Sequence, residues 1–231
     1  MLAVADRFPG LWLVGGAVRD LLLDRPVRDL DLAVEGDLEP LAAALGTVVE
    51  AHGRFGTAEI EVPGGALVNL AVTRAESYPR PGALPVVRWA PIDADLARRD
   101  FTVNAIAVGL SATERGEVRA AEHAFEDLAA GVLRVLHDRS FADDPTRVLR
   151  MARYVSRLGF APEPRTAALA ERADLGAVSG DRVGNEVRLL LEEPDPVAAL
   201  AEGARWGGVA VPSPEEAPAR AGLALLGGEG R

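Results

Sequence analysis

Residues 14–34 read VGGAVRDLLLDRPVRDLDLAV, and the order of apolar, glycine and charged positions in this stretch decides how the first part of the chain folds. The apolar run LWLV at 11–14 reads as a short strand that stops at Gly15 and Gly16. AVRDLLL then has helical character until Asp24, Arg25 and Pro26 end it, and DLDLAV at 29–34 reads as a second strand. Successive side chains of a strand alternate faces, so Asp29 and Asp31 point one way while Leu30 and Leu32 point the other. Two carboxylates on one patch repel each other, and either water or a divalent cation relieves that repulsion. From the pair alone, an outward polar face over a leucine-lined core and a metal site both stand.

Composition narrows the chemistry. The chain has 231 residues and is 48% hydrophobic, enough to bury a sizeable core. It contains no cysteine, which removes disulfides, zinc–cysteine sites and thiol nucleophiles. It contains no lysine either: all 25 basic side chains are arginine, which excludes Schiff-base chemistry and a Walker-A lysine. The three histidines, His52, His123 and His137, have no metal-ligand spacing. A net charge of −10 argues against a surface that is basic all over, so nucleic-acid contacts would have to come from local basic stripes. No apolar run approaches the roughly 18 residues of a membrane span, and the N-terminus lacks signal-peptide character, so the expected location is cytoplasmic with no membrane partner.

Further along, DLEPLAAALG reads as a helix closed by Gly46, and TAEIEV and ALVNLAV flank Pro63-Gly64-Gly65 as a hairpin. YPRPGALPVV (78–87) reads as a loop or extended arm, and FTVNAIAVGL as either strand or helix. From about residue 125 the pattern turns helical throughout. The expected fold is therefore α+β: a head with a small mixed sheet and flanking helices over 1–138, then an all-helical neck over 139–210 and a frayed Pro/Gly-rich tail over 211–231. Trp12, Trp89 and Trp206 are expected in the core or at an interface.

Gly15 and Gly16 lie between a strand and a helix N-terminus, where backbone N–H groups and the helix dipole favour phosphate, and Arg19 adds a guanidinium one turn in. The same dipeptide also makes a plain tight turn. A phosphate cradle at 15–19 followed by aspartates at 29 and 31 is what nucleotidyl transfer requires: a seat for a triphosphate and oxygen ligands for two magnesium ions.

Three segments, GGAVRDLLLDRPVRDLD, ARRDFTVNAIAV (97–108) and FADDPTRVLRMARYVSRLGF (141–160), resemble in order and spacing the signatures of the class II tRNA nucleotidyltransferase and bacterial poly(A) polymerase family, part of the polymerase-β-like superfamily. The resemblance covers roughly residues 10–195. It implies that Gly16 and Arg19 bind the incoming triphosphate and that Asp29 and Asp31 are catalytic and hold Mg2+. It implies nucleotide contacts for Arg99, with Asp100 and Asn104 supporting the sugar side, and base reading of CTP and ATP by Asp144 and Arg147. Arg150 and Arg153 match further nucleotide contacts. The implied activity is template-independent addition of CMP and/or AMP to the 3′ end of tRNA or another RNA, with release of pyrophosphate.

The helix after Asp144 can be read independently of the family. At 100° per residue, Arg147, Arg150, Arg153 and Arg157 share one arc, and Val148, Leu149, Met151, Ala152, Val155 and Leu158 cover the rest. A solvated basic face would look the same, and Asp144-Pro145 also suits an N-cap followed by proline at the first helical position.

The chain departs from the family pattern in several places. Asn69 stands where members carry a carboxylate on the neighbouring strand, with Glu59 or Glu61 as possible substitutes. The stretch 120–134 keeps only Asp127-Leu128 of an aspartate- and glycine-rich segment, and Asp143 replaces a glutamate. Full-length members continue into body and tail domains that hold tRNA. These are expected to be absent here, so that tRNA binding would be weak or would rely on a partner protein or self-association into a homo-oligomer. The alternative reading is a catalytically weakened nucleotide- or RNA-binding relative; turnover separates the two.

Overall fold

In a computed structural model, residues 2–207 are described; the segment 211–231 read as a frayed tail, and the last three residues of the expected neck, lie outside them. The strands are β1 (Leu11–Val14), β2 (Leu30–Val34), β3 (Thr47–His52), β4 (Thr57–Glu61), β5 (Leu67–Val72), β6 (Arg74–Ser77), β7 (Val86–Trp89), β8 (Ile106–Gly109), β9 (Val118–Ala120), β10 (Val132–Leu133) and β11 (Ala161–Pro162). The helices are α1 (Leu2–Ala5), α2 (Gly16–Leu22), α3 (Leu38–Leu45), α4 (Ile92–Ala97), α5 (Ala124–Ala130), α6 (Ser140–Asp143), α7 (Arg147–Leu158), α8 (Pro164–Ala170), α9 (Gly180–Leu191) and α10 (Pro196–Arg205).

Seven strands form one mixed sheet in the order β3-β4-β5-β2-β1-β8-β9, in which β2 and β5 run parallel and the other neighbours antiparallel. Alternation buries both faces of the centre. Leu11, Leu32 and Val34 pack with Leu41, Ala42 and Leu45 of α3. Trp12, Val14 and Ala33 pack with Ile92 and Leu96 of α4. Asp31, two residues before Ala33, therefore lies on the face that α4 covers. At one edge all six residues of β3 are exposed.

The hairpin over β4 and β5 and the helix capped by Asp37 and closed by Gly46 form as read. Residues 78–85 of the expected arm connect a second hairpin, β6 with β7, and residues 86 and 87 open β7, whose last residue Trp89 is 68% exposed. Trp89 is thus not a core residue, unlike Trp12. The ambiguous FTVNAIAVGL divides in two: a 3₁₀ turn at Thr102–Asn104 precedes β8. Side chains hold the turn, since Thr102 Oγ1 donates to Asp127 Oδ2 at 2.7 Å and Asn104 Nδ2 donates to Asp100 Oδ1 at 3.0 Å. Asp29 precedes β2 and is not part of it, so the two aspartates flank the strand entrance instead of both lying within it.

After residue 139 the chain is mostly but not wholly helical, because β11 pairs in parallel with β10. A third apolar cluster disregards the expected boundary at 138/139: Val18, Phe101, Val103 and Ile106 pack with Val148, Leu149, Met151 and Ala152 of α7 and with Leu190 and Ala199 of α9 and α10. The apolar face expected of α7 is the one that enters this cluster. Leu149 is fully buried, and Leu149→Ala is expected to lower unfolding free energy by about 3 kcal/mol, measured from urea midpoints.

Candidate active site

Between the sheet and α7 and α9 lies a cleft of about 670 Å³. All twelve residues singled out in the sequence line it: Gly15, Gly16, Arg19, Asp29, Asp31, Arg99, Asp100, Asn104, Asp144, Arg147, Arg150 and Arg153. Ten arginines and seven carboxylates line it, so its wall is net positive in a chain whose overall charge is −10.

Gly15 has φ +69° and ψ −131°, a conformation that glycine adopts readily and other residues do not. A Cβ there would also stand 2.8 Å from Arg99 Nη1. The N–H of Gly15 donates to Ile106 O on β8, which fixes the turn to the sheet, while α2 starts at Gly16 with first-turn N–H groups that have no intrahelical acceptor. Arg19 lies beneath the turn and is 2% exposed. Its Nε donates to Asp20 Oδ1 at 2.8 Å and its Nη1 to Asn104 Oδ1 at 2.6 Å. Its guanidinium is thus positioned by the protein before any ligand arrives.

Asp31 pairs across the sheet with Asn69, whose Nδ2 donates to Asp31 Oδ1 at 3.0 Å. Burial raises the Asp31 pKa above the usual carboxylate value. The Asn69 amide and Arg99 pull it back, and Asp29 adds to the rise. Glu59 lies opposite Asn69 on β4, one strand further from Asp31, and Glu61 is two residues along. Among the described residues no group of three or more His, Cys, Asp or Glu converges, so neither glutamate joins the aspartates. The donor set of Asp29 and Asp31 is oxygen only. It suits a hard divalent cation that takes its remaining ligands from water and from a phosphate-bearing substrate.

The pair Arg98-Arg99 grips Asp95 of α4 from two sides. Arg98 Nη2 donates to Oδ1 at 2.6 Å and Arg99 Nη2 to Oδ2 at 2.8 Å. Burial would raise the Asp95 pKa, but the two guanidiniums outweigh it and lower it. Asp100 is the hub of the next layer. Its Oδ1 accepts from Phe101 N and Asn104 Nδ2, and its Oδ2 accepts from Arg150 Nε at 2.8 Å. Burial acts to raise its pKa, yet Arg150 and the Asn104 amide hold it well below the ordinary carboxylate range.

On α7 the arginine face is not a free solvated stripe. Arg147 is buried and donates to Ser140 Oγ and to Arg98 O, both at 2.7 Å. Arg150 reaches Asp100 and also Glu186 of α9 at 3.5 Å, and Arg153 Nη1 donates to Glu186 Oε2 at 3.1 Å. Asp144 Oδ1 accepts from Thr146 N, Thr146 Oγ1 and Arg182 Nη2. It therefore fixes the turn ahead of α7, which begins at Arg147, two residues later than an N-cap at Asp144 implies. Asp143 is tied to Arg139 and does not line the cleft.

Sequence reading missed Tyr154, whose ring centroid lies 5.3 and 5.4 Å from the guanidinium carbons of Arg19 and Arg157, as well as Arg182 and Glu186. Arg157 had a signal in the arginine periodicity. Arg182 and Glu186 lie on a helix that only tertiary packing brings to the cleft.

Over residues 11–134 the sequence matches the family described as the poly A polymerase head domain. The chain belongs to this family. It is 42% identical over 202 residues to the A-adding tRNA nucleotidyltransferase of Halalkalibacterium halodurans, covering 83% of this chain and 47% of that protein. It is 39% identical over 203 residues to the CC-adding tRNA nucleotidyltransferase of Deinococcus radiodurans, covering 85% and 54%. The solved Thermotoga maritima CCA-adding enzyme complexed with tRNA superposes with a TM-score of 0.70 at 34% identity, covering 86% of this chain and 47% of that one. The chain thus spans about half the length of these relatives. Nucleotidyltransferases of this family use a divalent metal. Among the described residues no helix is long and apolar enough to cross a membrane.

Two outcomes follow from this geometry. Gly15→Ala is expected to lower unfolding free energy by about 2 kcal/mol, read from denaturant midpoints. Because the Asp100 pKa is depressed on folding, its stabilisation is present above about pH 4 and is lost as pH falls below that toward the folded-state value. Asp100→Asn should therefore cost about 2 kcal/mol at pH 7 and flatten the acid limb of stability against pH, measured by urea titration from pH 7 to pH 2.

Proposed function

We propose that the chain is an RNA nucleotidyltransferase module that transfers CMP and/or AMP from CTP or ATP to the 3′-hydroxyl of a tRNA, releasing pyrophosphate. The observation that carries the reading is the convergence of the glycine turn, the aspartate pair, the Arg98-Arg99-Asp100 run and the α7 arginines on one cleft. Names of the relatives agree with it: they add A, CC or CCA to tRNA. In this reading residues 1–138 act as the head and 139–210 as the neck.

Asp29 and Asp31 would hold Mg2+. The metal, when bound, lowers the pKa of the attacking hydroxyl and neutralises charge on the leaving pyrophosphate. The RNA 3′-oxygen bonds to the α-phosphorus as the bond from that phosphorus to the bridging oxygen of the β-phosphate breaks. The Gly15-Gly16 turn seats the triphosphate with the N–H groups of the first turn of α2, and Arg19, already aligned by Asp20 and Asn104, supports it from below. Arg99 lies against Gly15 and offers charge to the same phosphates. Asp100 and Asn104 hold the sugar side rigid. Asp144 offers carboxylate acceptors and Arg147 a planar donor fork, the complement of the amino, ring-nitrogen and carbonyl edge of cytosine or the corresponding edge of adenine. Both are immobilised by Thr146, Arg182 and Ser140, so discrimination costs little reorganisation.

The test is extension of labelled tRNAs lacking all, part or only the last residue of the CCA end, with magnesium and CTP or ATP, resolved on a sequencing gel. The parent chain should extend at least one of these ends. The variant carrying Asp29→Ala and Asp31→Ala should lose at least about 1,000-fold in rate while still binding nucleotide. No extension by the folded parent at high enzyme and tRNA concentration would overturn the reading.

A further inference from the structure

The loop joining α2 to β2 is fastened to the far end of α7. Arg25 Nη1 and Nη2 donate to Arg157 O and Leu158 O, each at 3.3 Å, and so occupy carbonyls that the end of the helix leaves free. This brings Arg28, which directly precedes Asp29, to the acidic residue that follows α9: Arg28 Nη1 lies 3.9 Å from Glu193 Oε2. Glu193 is buried and is shared by two more arginines, with Arg153 Nε at 3.2 Å and Arg157 Nη1 at 3.8 Å from its Oε1.

One carboxylate thus stands among three guanidiniums. Arg153 has a second acidic neighbour in Glu186, but Glu186 also serves Arg150. Arg157 Nε is buried without a hydrogen-bond acceptor among the described residues, and Glu193 Oε2 accepts no hydrogen bond. Arg28, Arg153 and Arg157 line the cleft, whereas Glu193 does not and stands behind them. Burial, with Arg19 nearby, lowers the Arg157 pKa, and Glu193 offsets this only in part.

We propose that Arg28, Arg153 and Arg157, held by Glu193 as a positioning residue, form a phosphate seat on the wall of the cleft, additional to the Gly15-Gly16 turn. Planar guanidinium forks around a shared carboxylate present their remaining N–H groups to a tetrahedral anion, and that anion supplies the missing charge. The phosphate comes either from the nucleotide's triphosphate tail or from the RNA backbone next to its 3′ end. Which of these sources is relevant rests on the nucleotidyl-transfer reading above; the seat itself does not.

Binding, not turnover, tests the seat. The full chain, Arg28→Gln, Arg157→Gln, Glu193→Gln and a control in Arg172, an arginine outside the cleft, are titrated with inorganic tripolyphosphate and with a short single-stranded RNA ending in CC. Arg28→Gln and Arg157→Gln are each expected to weaken one of these ligands by about tenfold, with Arg172→Gln unchanged. Glu193→Gln, which keeps the shape but loosens the arginines, is expected to weaken the same ligand. A loss confined to tripolyphosphate assigns the seat to the triphosphate, and one confined to RNA assigns it to the backbone. Arg28 is half exposed, so Arg28→Gln stays informative where Arg157→Gln unfolds the chain. Unchanged binding of both ligands by folded Arg28→Gln overturns the proposal, and so does unchanged binding by folded Arg157→Gln. A chain that binds either ligand through these arginines yet extends no RNA keeps the seat and loses the activity reading.

Discussion

The Asp100 carboxylate is the interaction on which the rest of the cleft depends. One of its oxygens faces the head, taking the Phe101 and Asn104 donors, and the other takes Arg150 of α7. Through Asn104 the same residue fixes Arg19 and so the floor of the glycine turn; through Arg150 it reaches Glu186 and α9. An ion pair in water contributes little. Here the carboxylate is withdrawn from solvent and each of its oxygens is matched to a donor, which is the condition under which a buried charge gives a unique geometry instead of a desolvation penalty. The aromatic layer beneath it has the same purpose. Tyr154 meets Phe101 edge to face at 5.9 Å while its own ring carries Arg19 and Arg157, so the guanidiniums sit on a platform belonging to both halves of the molecule.

This arrangement gives an acidic protein one cleft with a net positive wall. Charge is segregated: Asp95 and Glu193 are buried behind arginines and align them, whereas Asp29, Asp31 and Asp100 line the cleft itself. The absence of lysine fits such a design. A guanidinium can hold a carboxylate with one edge and keep other N–H groups for a ligand, which an ammonium does less well in a crowded site.

Much of the head was legible because its signals are local. The strand, Gly-Gly turn and helix at 11–22, the helix closed by Gly46 and the hairpin around Pro63-Gly64-Gly65 each follow from a few neighbouring residues. FTVNAIAVGL was not legible, because the Thr102–Asn104 turn depends on Asp127 and Asp100, and Asp127 is distant in sequence. Of the two places expected for Trp89, core or interface, the core is excluded because the hairpin that carries it leaves it exposed. The site shows the same division. Most motif residues were singled out through the family resemblance, whereas Tyr154, Glu186 and Glu193 come to the cleft wall or stand behind it only when α7 and α9 pack, and the α7 arginines could not be told from a solvated stripe without their partners. The third apolar cluster draws on both sides of the expected boundary at 138/139, a packing contact that no local pattern announces.

The sheet edge formed by β3 has a consequence for how the protein behaves at high concentration. Its six exposed residues present backbone hydrogen-bonding groups and the side chains of Val48 and Val49, the kind of edge on which a second strand can add and from which chains aggregate. Two features oppose that addition. A break in register between Val48 and Glu50 bends the strand away from flat pairing, and Glu50 places a charge beside the valines. Resistance of this edge to strand addition thus rests on a local irregularity, one that a smoother, more regular strand would remove.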